Sequence, residues 1–289
     1  MRPSSCRAVT LAATPHELAA FRANGYFVRE RVFSAAELER LRAAVERVHA
    51  RVLCESGAPG APAIERIDGK RYQDVLGACV KWEWDEARAD VRSMEPFLHL
   101  DPELDRLADD ARLWAPMTGL CGAPSLALFT DKLNFKRPGG APFPWHQDSP
   151  YFAFECPHVD RLVSVQVYLD DASEENGCLW MIPGSHRLGR LPGQSERGVL
   201  GRLYTDVDRA LPEAPRVPIA APAGSAIFFH GDVVHGSQMN RSAVSRRAFV
   251  LTYQPGGHPQ FRRPGTREIT SGPGSVPPES PTRPARPGA

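Results

Sequence analysis

The sequence lacks a long apolar run, an excess of charge of either sign and any closely spaced pair of cysteines. Its 35 basic and 34 acidic residues leave a formal net charge of +1, which argues against nucleic acid or an acidic membrane as partner. No apolar stretch approaches the roughly 20 residues of a membrane span. Six cysteines without a CxxC pair favour reduced thiols over a disulfide framework or a zinc ribbon. We therefore expect a cytoplasmic monomer or homodimer whose partner is a small-molecule substrate.

A chain of 289 residues is long enough for one substantial core, and we expect a single domain at residues 14–257. Residues 1–13 are expected to be a flexible N-terminus. Residues 258–289 are rich in Pro, Gly and Arg, a composition that cannot bury a core, so this tail is expected to be disordered.

Helical signals dominate the first part of the domain, residues 14–123. Thr14 before Pro15 predicts a capped helix, and Ser34 with Glu37 three residues later forms a capping-box pattern before an amphipathic helix. A third helix is predicted to begin at Asp101 and to stop at Pro116. We expect these helices to support the core.

From residue 124 to 257 the pattern changes to short β-type runs separated by Gly and Pro. In the run at 162–169, Leu162, Ser164, Gln166 and Tyr168 share one face, and the opposite face is wholly apolar. The more polar face is expected to line a pocket. Many short strands predict a mainly β fold, a double-sheet sandwich or jelly roll, with helical N-terminal support.

His146 and Asp148 stand at positions i and i+2 in the segment PWHQDSPYF. On an extended segment such side chains point to the same side, so both can bind one metal ion. His235, which follows an apolar run, is the candidate third ligand. Two histidines and one carboxylate leave open positions on the ion, which is typical of iron(II) oxygenases. A hydrogen-bonded His–Asp pair on the surface is the alternative for this motif alone.

Arg246 stands eleven residues after His235, at the entry to the next β-type run. An arginine inside a β-sandwich is costly unless it meets an anion, and a carboxylate of 2-oxoglutarate would satisfy it. Ser237 is placed to donate a hydrogen bond to the same carboxylate. A surface ion pair is the alternative role of Arg246.

Four linked motifs resemble the phytanoyl-CoA dioxygenase family of iron(II)/2-oxoglutarate-dependent oxygenases. They are PWHQDSPYF, DDASEENGCLWMIPGSH at 170–186, FFHGDVVHGSQMNRS, and RRAFVLTYQP at 246–255. The resemblance covers residues 14–255 and is strongest after 124. It implies a double-stranded β-helix (jelly-roll) core, iron ligands His146, Asp148 and His235, and a cosubstrate anchor formed by Arg246 and Ser237.

The same resemblance places Gln166 against the cosubstrate, and Lys81 in KWEWDE is similar to a lysine used there. A solvated lysine beside acidic residues is the alternative for Lys81. His158, His186 and His230 are expected to have structural or surface roles, because a fourth protein ligand would occupy a position needed by cosubstrate or O2.

The implied activity is hydroxylation or desaturation of a C–H bond of a small molecule, with Fe(II), 2-oxoglutarate and O2, as a tailoring step in secondary metabolism. Related halogenases have a small residue at the carboxylate position, so Asp148 argues against halogenation. An acyl-CoA α-hydroxylase is the alternative enzyme. A non-catalytic jelly-roll module that binds a metabolite is the alternative from another class.

Overall fold

The computed structural model describes residues 11–154 and 156–269. Its helices are α1 (Pro15–Asn24), α2 (Ala35–Ser56), α3 (Pro102–Asp105), α4 (Ala111–Cys121), α5 (Ser149–Phe152) and α6 (Val207–Ala210). Its strands are β1 (Tyr26–Arg29), β2 (Glu65–Ile67), β3 (Lys70–Val75), β4 (Ala78–Trp82), β5 (Val91–Glu95), β6 (Leu126–Asn134), β7 (Phe143–His146), β8 (Val163–Tyr168), β9 (Leu179–Met181), β10 (Val217–Ile219), β11 (Ala226–His230), β12 (His235–Ser237), β13 (Ala248–Pro255) and β14 (Arg267–Glu268). No helix in this part of the chain is long and apolar enough to cross a membrane.

Two antiparallel sheets form the core. The major sheet has the order β1-β11-β8-β13-β6-β5-β4-β3-β2, with β14 added beside β6. The minor sheet has the order β10-β9-β12-β7. Strands that are distant in sequence are neighbours in both sheets, as expected for a jelly roll. The predicted fold class, mainly β with helical support, is confirmed.

The alternation of β8 positions the pocket. Val163, Val165 and Val167 belong to the main hydrophobic core on one side of the major sheet. Gln166, on the other face, lines a cavity that opens between the two sheets. The apolar face of this strand packs as predicted, but of the predicted pocket face only Gln166 lines the cavity, while Leu162 and Tyr168 belong to hydrophobic clusters.

Two N-terminal helices cover the apolar side of the major sheet. Both begin with a complete capping box, Thr14 with Glu17 in α1 and Ser34 with Glu37 in α2. One stripe of α2 is buried in the main core and contains Leu38, Leu41, Ala44, Val45, Val48 and Val52. These helices keep the outer face of the sheet dry and leave the inner face free for the site.

The expectation that residues 14–123 are helical support was wrong for the segment 65–95. This segment forms β2 to β5, which extend the major sheet beyond β6. The period-two pattern is visible in β4, where Ala78, Val80 and Trp82 are buried and the residues between them are more exposed. The extension supplies one wall of the cavity.

The predicted third helix begins where expected, with Asp101 as the N-cap of α3, but it does not continue unbroken to Pro116. It is broken at Asp110, whose side chain accepts a hydrogen bond from the Arg112 N–H at 2.9 Å and so caps a new helix. Pro116 lies inside that helix and does not end it. Burial of Leu113 and Met117 on the same helix offsets the hydrogen bond that proline cannot donate.

The predicted boundary at residue 257 lies too early. Phe261 is buried and packs on Phe129 with ring centroids 5.5 Å apart. Arg267–Glu268 then pairs with β6. A few apolar residues thus anchor a segment whose overall composition predicts disorder. The expectations for residues 1–10 and 270–289 lie outside the described residues.

Candidate active site

Adjacent strands of the minor sheet bring the two predicted histidine ligands together. His146 on β7 is the register partner of His235 on β12. Asp148 follows β7, and its backbone N–H donates to the carbonyl oxygen of Gly231 at 2.8 Å. Its Oδ1 lies 3.6 Å from Nε2 of His146 and 3.7 Å from Nε2 of His235. One donor atom from each of the three residues lies within 4.8 Å of the others, so the set can share one cation.

Backbone carbonyls orient both imidazoles in the same way. Nδ1 of His146 lies 2.7 Å from the Pro144 oxygen, and Nδ1 of His235 lies 3.0 Å from the Val233 oxygen. A carbonyl only accepts, so each Nδ1 carries the proton and each Nε2 presents its lone pair to the common centre. Burial holds the pKa of His146 well below its usual value. Two neutral imidazoles and one carboxylate fit the donor set of a non-haem iron(II) centre.

Arg246 is buried just before β13, where its side chain lines the same cavity. Its Nε and Nη2 donate to the carbonyl oxygen of Gly177 at 3.0 and 2.8 Å. Within residues 11–154 and 156–269, no carboxylate pairs with this guanidinium. Burial lowers its pKa. A buried cation without a counterion is costly, so this position fits a bound anion.

Ser237 lines the same cavity as Arg246. It is hydrogen-bonded to Lys136, a residue that sequence reasoning missed. Lys136 donates from Nζ to Ser237 Oγ at 2.9 Å and to the Gln238 carbonyl oxygen. The carbonyl oxygen of Lys136 accepts from the Arg246 N–H at 3.0 Å. Burial, followed by repulsion from Arg246, lowers the pKa of Lys136 to about 6.

The two remaining predicted residues, Gln166 and Lys81, also line the cavity. Nε2 of Gln166 is buried and has no hydrogen-bond partner among the described residues, so it is free for a bound molecule. Nζ of Lys81 lies 4.0 Å from Glu95 Oε2 and 5.5 Å from the ring centre of Tyr151.

A cavity of about 400 Å³ is lined by all the predicted site residues, His146, Asp148, His235, Arg246, Ser237, Gln166 and Lys81. Sequence reasoning missed Arg92, Glu95, Thr130 and Lys132, which line it from β5 and β6. The signal was present in β6, where Thr130, Lys132 and Asn134 are polar residues at alternate positions of an otherwise mostly apolar strand.

The sequence profile of the phytanoyl-CoA dioxygenase (PhyH) family matches residues 21–248, most of the chain. The chain belongs to the phytanoyl-CoA dioxygenase family. It is 28% identical over 234 residues to a probable alpha-ketoglutarate-dependent hypophosphite dioxygenase of Stutzerimonas stutzeri, covering 79% of this chain and 74% of the relative. It is 37% identical over 128 residues to a 2-aminoethylphosphonate dioxygenase of an uncultured bacterium, covering 44% of this chain and 45% of the relative.

The fold of this family member also matches a solved enzyme structure. EctD from S. alaskensis, crystallised with 2-oxoglutarate and 5-hydroxyectoine, superimposes with a TM-score of 0.62 at 25% identity, over 84% of this chain and 76% of EctD. Together with the His-Asp-His set, these matches identify the chain as a 2-oxoglutarate-dependent non-haem iron dioxygenase. The alternative of a non-catalytic binding module is therefore set aside.

His158, His186 and His230 do not belong to the set of three metal donors. His186 and His230 face each other, with ring centroids 5.6 Å apart. His158 stacks on His258 at 3.8 Å and contacts Gln254 through Nε2 at 2.9 Å. These packing contacts agree with the structural roles expected for them.

Proposed function

We propose that this chain hydroxylates a C–H bond of a small molecule, with iron(II) held by His146, Asp148 and His235. Arg246 and Ser237 anchor the distal carboxylate of 2-oxoglutarate. One observation carries the proposal: a buried arginine, which pairs with no carboxylate in residues 11–154 and 156–269, lines the same cavity as three convergent metal donors. A metal ion bound by the three donors would not by itself explain why a guanidinium group is buried in the same cavity.

Each residue has a distinct role in the proposed site. The histidines present neutral Nε2 atoms, and Asp148 supplies the carboxylate that leaves the rest of the ion for cosubstrate and O2. Lys136 donates to Ser237 Oγ, which leaves the Ser237 hydroxyl hydrogen free to donate to the anchored carboxylate. Gln166 directs its unpartnered amide towards the bound cosubstrate.

Bound iron(II) and 2-oxoglutarate supply the activation of O2, and the overall reaction converts C–H, 2-oxoglutarate and O2 into an alcohol, succinate and CO2. The cavity walls contribute a dry enclosure and placement of one C–H bond. The carboxylate of Asp148 occupies the position that a halide would need, which favours hydroxylation over halogenation. A tailoring step in secondary metabolism stays the predicted pathway class.

The experiment compares Arg246→Met with Arg247→Met. Arg247 stands next to Arg246 but pairs with Asp170 and Glu46 instead of lining the cavity. We expect Arg246→Met to raise the KM for 2-oxoglutarate about 10-fold or more, because the charge-assisted hydrogen bonds to its distal carboxylate are lost. Arg247→Met should leave this KM close to that of the parent enzyme.

Succinate release measures the KM, and the visible charge-transfer band of the anaerobic iron(II)–2-oxoglutarate complex measures binding directly. A parent enzyme that folds but gives neither band nor succinate would refute the oxygenase assignment. An unchanged KM in Arg246→Met would move the anchor to another residue.

A further inference from the structure

The cavity holds more positive charge than the proposed iron and 2-oxoglutarate site needs. Besides Arg246, it is lined by the cationic residues Lys70, Arg71, Lys81, Arg92, Lys132 and Arg262. Three of them, Lys81, Lys132 and Arg262, form one corner of the cavity with Tyr151 and Glu95. In the proposed complex, the positive charges of iron(II) and Arg246 equal the negative charges of Asp148 and the two carboxylates of 2-oxoglutarate. In this corner Lys81 pairs with the buried carboxylate of Glu95 at 4.0 Å, whereas Lys132 and the more exposed Arg262 have no ion pair among the described residues.

Lys132 is the central cation of this corner. It has no hydrogen bond and no ion pair with any residue in 11–154 or 156–269, and its Nζ lies 5.2 Å from the ring centre of Phe143. Burial, followed by repulsion from Lys81, lowers its pKa to about 8. A bound anion would supply the counterion that Lys132 lacks among the described residues.

Aromatic and polar groups complete the corner. Lys81 lies over the ring of Tyr151, and the Tyr151 hydroxyl accepts from Arg262 Nη2 at 2.8 Å. Oε1 of Glu95 accepts from the Thr130 hydroxyl at 2.9 Å, which fixes that carboxylate beside Lys81. By contrast, Arg92 already pairs with Glu83 at 3.8 Å and donates to backbone carbonyls.

The corner and the cosubstrate anchor lie at different levels of the same sheet. The backbone N–H of Arg246 donates to the carbonyl oxygen of Lys136. Lys132 precedes Lys136 by four residues, which corresponds to roughly 13 Å of extended chain. The backbone N–H of Tyr151 donates to the carbonyl oxygen of Asp148 at 3.0 Å, and Lys132 lines the same cavity as the three metal donors. The metal donors are therefore adjacent to the corner, as a substrate-binding site requires.

We propose that Lys132, Lys81 and Arg262 bind a dianionic tetrahedral head group of the substrate, a phosphonate or a phosphate monoester. This inference rests on the proposed function and gives Lys81 a role towards the substrate instead of the cosubstrate. Two uncompensated charges match a dianion better than a carboxylate, and three donor groups suit the three oxygens of such a head group. Glu95 limits the excess of positive charge while the site is empty.

The test uses the enzyme loaded anaerobically with iron(II) and 2-oxoglutarate, titrated near neutral pH in a calorimeter. The probes are 2-aminoethylphosphonate, ethyl phosphate and, as carboxylate comparison, β-alanine. At least one of the two phosphorus compounds should bind about 10-fold or more tightly than β-alanine. Preference between the first two identifies the source of the dianion. Equal or better binding of β-alanine, or no saturable binding of either phosphorus compound, would overturn the proposal.

Variants locate the site. Lys132→Met should weaken binding of the phosphorus compound about 10-fold or more, and Lys132→Arg should restore most of it. Arg209→Met, which removes one exposed charge on α6, is the matched control and should change nothing. Unchanged binding in a folded Lys132→Met enzyme would also refute the proposal.

The iron(II)–2-oxoglutarate charge-transfer band separates the two levels of inference. If the band forms normally and the phosphorus compounds do not bind, only the substrate assignment fails. If the band does not form, the proposed function itself fails. Loss of the band in Lys132→Met would instead place this lysine at the cosubstrate and contradict the head-group role.

Discussion

The carbonyl oxygen of Gly177 accepts two hydrogen bonds from Arg246, through Nε at 3.0 Å and Nη2 at 2.8 Å. Gly177 belongs to the Asn176–Gly177 turn and has a positive φ of 76°. A tight turn thus fixes the direction in which the buried guanidinium points. This turn therefore supports the proposed anchor for 2-oxoglutarate.

The Gly177→Ala variant should weaken binding of 2-oxoglutarate. A Cβ at this position would lie 2.5 Å from the Gln238 carbonyl oxygen and 3.1 Å from Lys136 Nζ, so the turn must shift. We expect the dissociation constant of 2-oxoglutarate, followed by the charge-transfer band, to rise about 10-fold, because the Arg246 hydrogen bonds depend on this carbonyl.

Gly60→Ala is the matched control for that change. Gly60 also has a positive φ, 84°, but an added Cβ there meets nothing within 4 Å. Both variants should lose about 1–2 kcal/mol of stability from the left-handed backbone conformation. Only Gly177→Ala should lose cosubstrate affinity; equal affinity in the two variants would contradict the supporting role of the turn.

Lys136→Met should weaken binding of 2-oxoglutarate without removing the metal site. The change removes the donor to Ser237 Oγ, so the serine hydroxyl is no longer held in place for the carboxylate. We expect the KM for 2-oxoglutarate to rise about 5- to 10-fold, since one hydrogen bond near a charge is lost. Lys70→Met is the control, because Lys70 contacts Tyr204 and Trp84 and not Ser237. An equal rise in both variants would indicate a general effect of charge.

Lys136 should also make the stability of the apoprotein depend on pH. Burial, and then the charges of Arg246 and Arg92, lower its pKa from 10.5 to about 6. Between these values the unfolded chain binds a proton that the folded chain does not, so stability falls as pH is lowered from about 10 to about 6. The stability of Lys136→Met should not contain this contribution to the pH dependence.

Urea unfolding at pH 9 and at pH 6.5 checks the sign. Relative to the parent, Lys136→Met should be more stable at pH 6.5 than at pH 9, because only the parent loses stability as the pH is lowered. A relative stability that is the same at both pH values would show that the folded protein keeps Lys136 charged.

Sequence patterns predicted the residues whose chemistry is rare and missed those whose role depends on packing. His146, Asp148, His235 and Arg246 could be proposed from the sequence because they fall in linked motifs in a fixed order, and the structure brings them to one cavity. Lys132 and Lys136 looked like ordinary strand lysines, because their environment is set by which strands are neighbours. Pairing of β6 with β5 and β13 brings Lys132 to the cavity, and those pairings join residues far apart in sequence. Lys136 follows β6 and is positioned by its contacts with Ser237 and Arg246.

The metal assignment predicts which histidine the folded protein needs for iron. In the apoprotein, His146 Nε2 lies 3.6 Å from Asp148 Oδ1 and points to the common centre, whereas His186 packs against His230. A ligand that binds only the folded state stabilises it, by about 2.7 kcal/mol when present at 100 times its dissociation constant. Anaerobic iron(II) should therefore raise the Tm of the parent enzyme and of His186→Ala, but not that of His146→Ala, and a chelator should reverse the shift. A normal iron-dependent shift in His146→Ala would remove this histidine from the ligand set, and loss of the shift in a folded His186→Ala enzyme would add that residue to it.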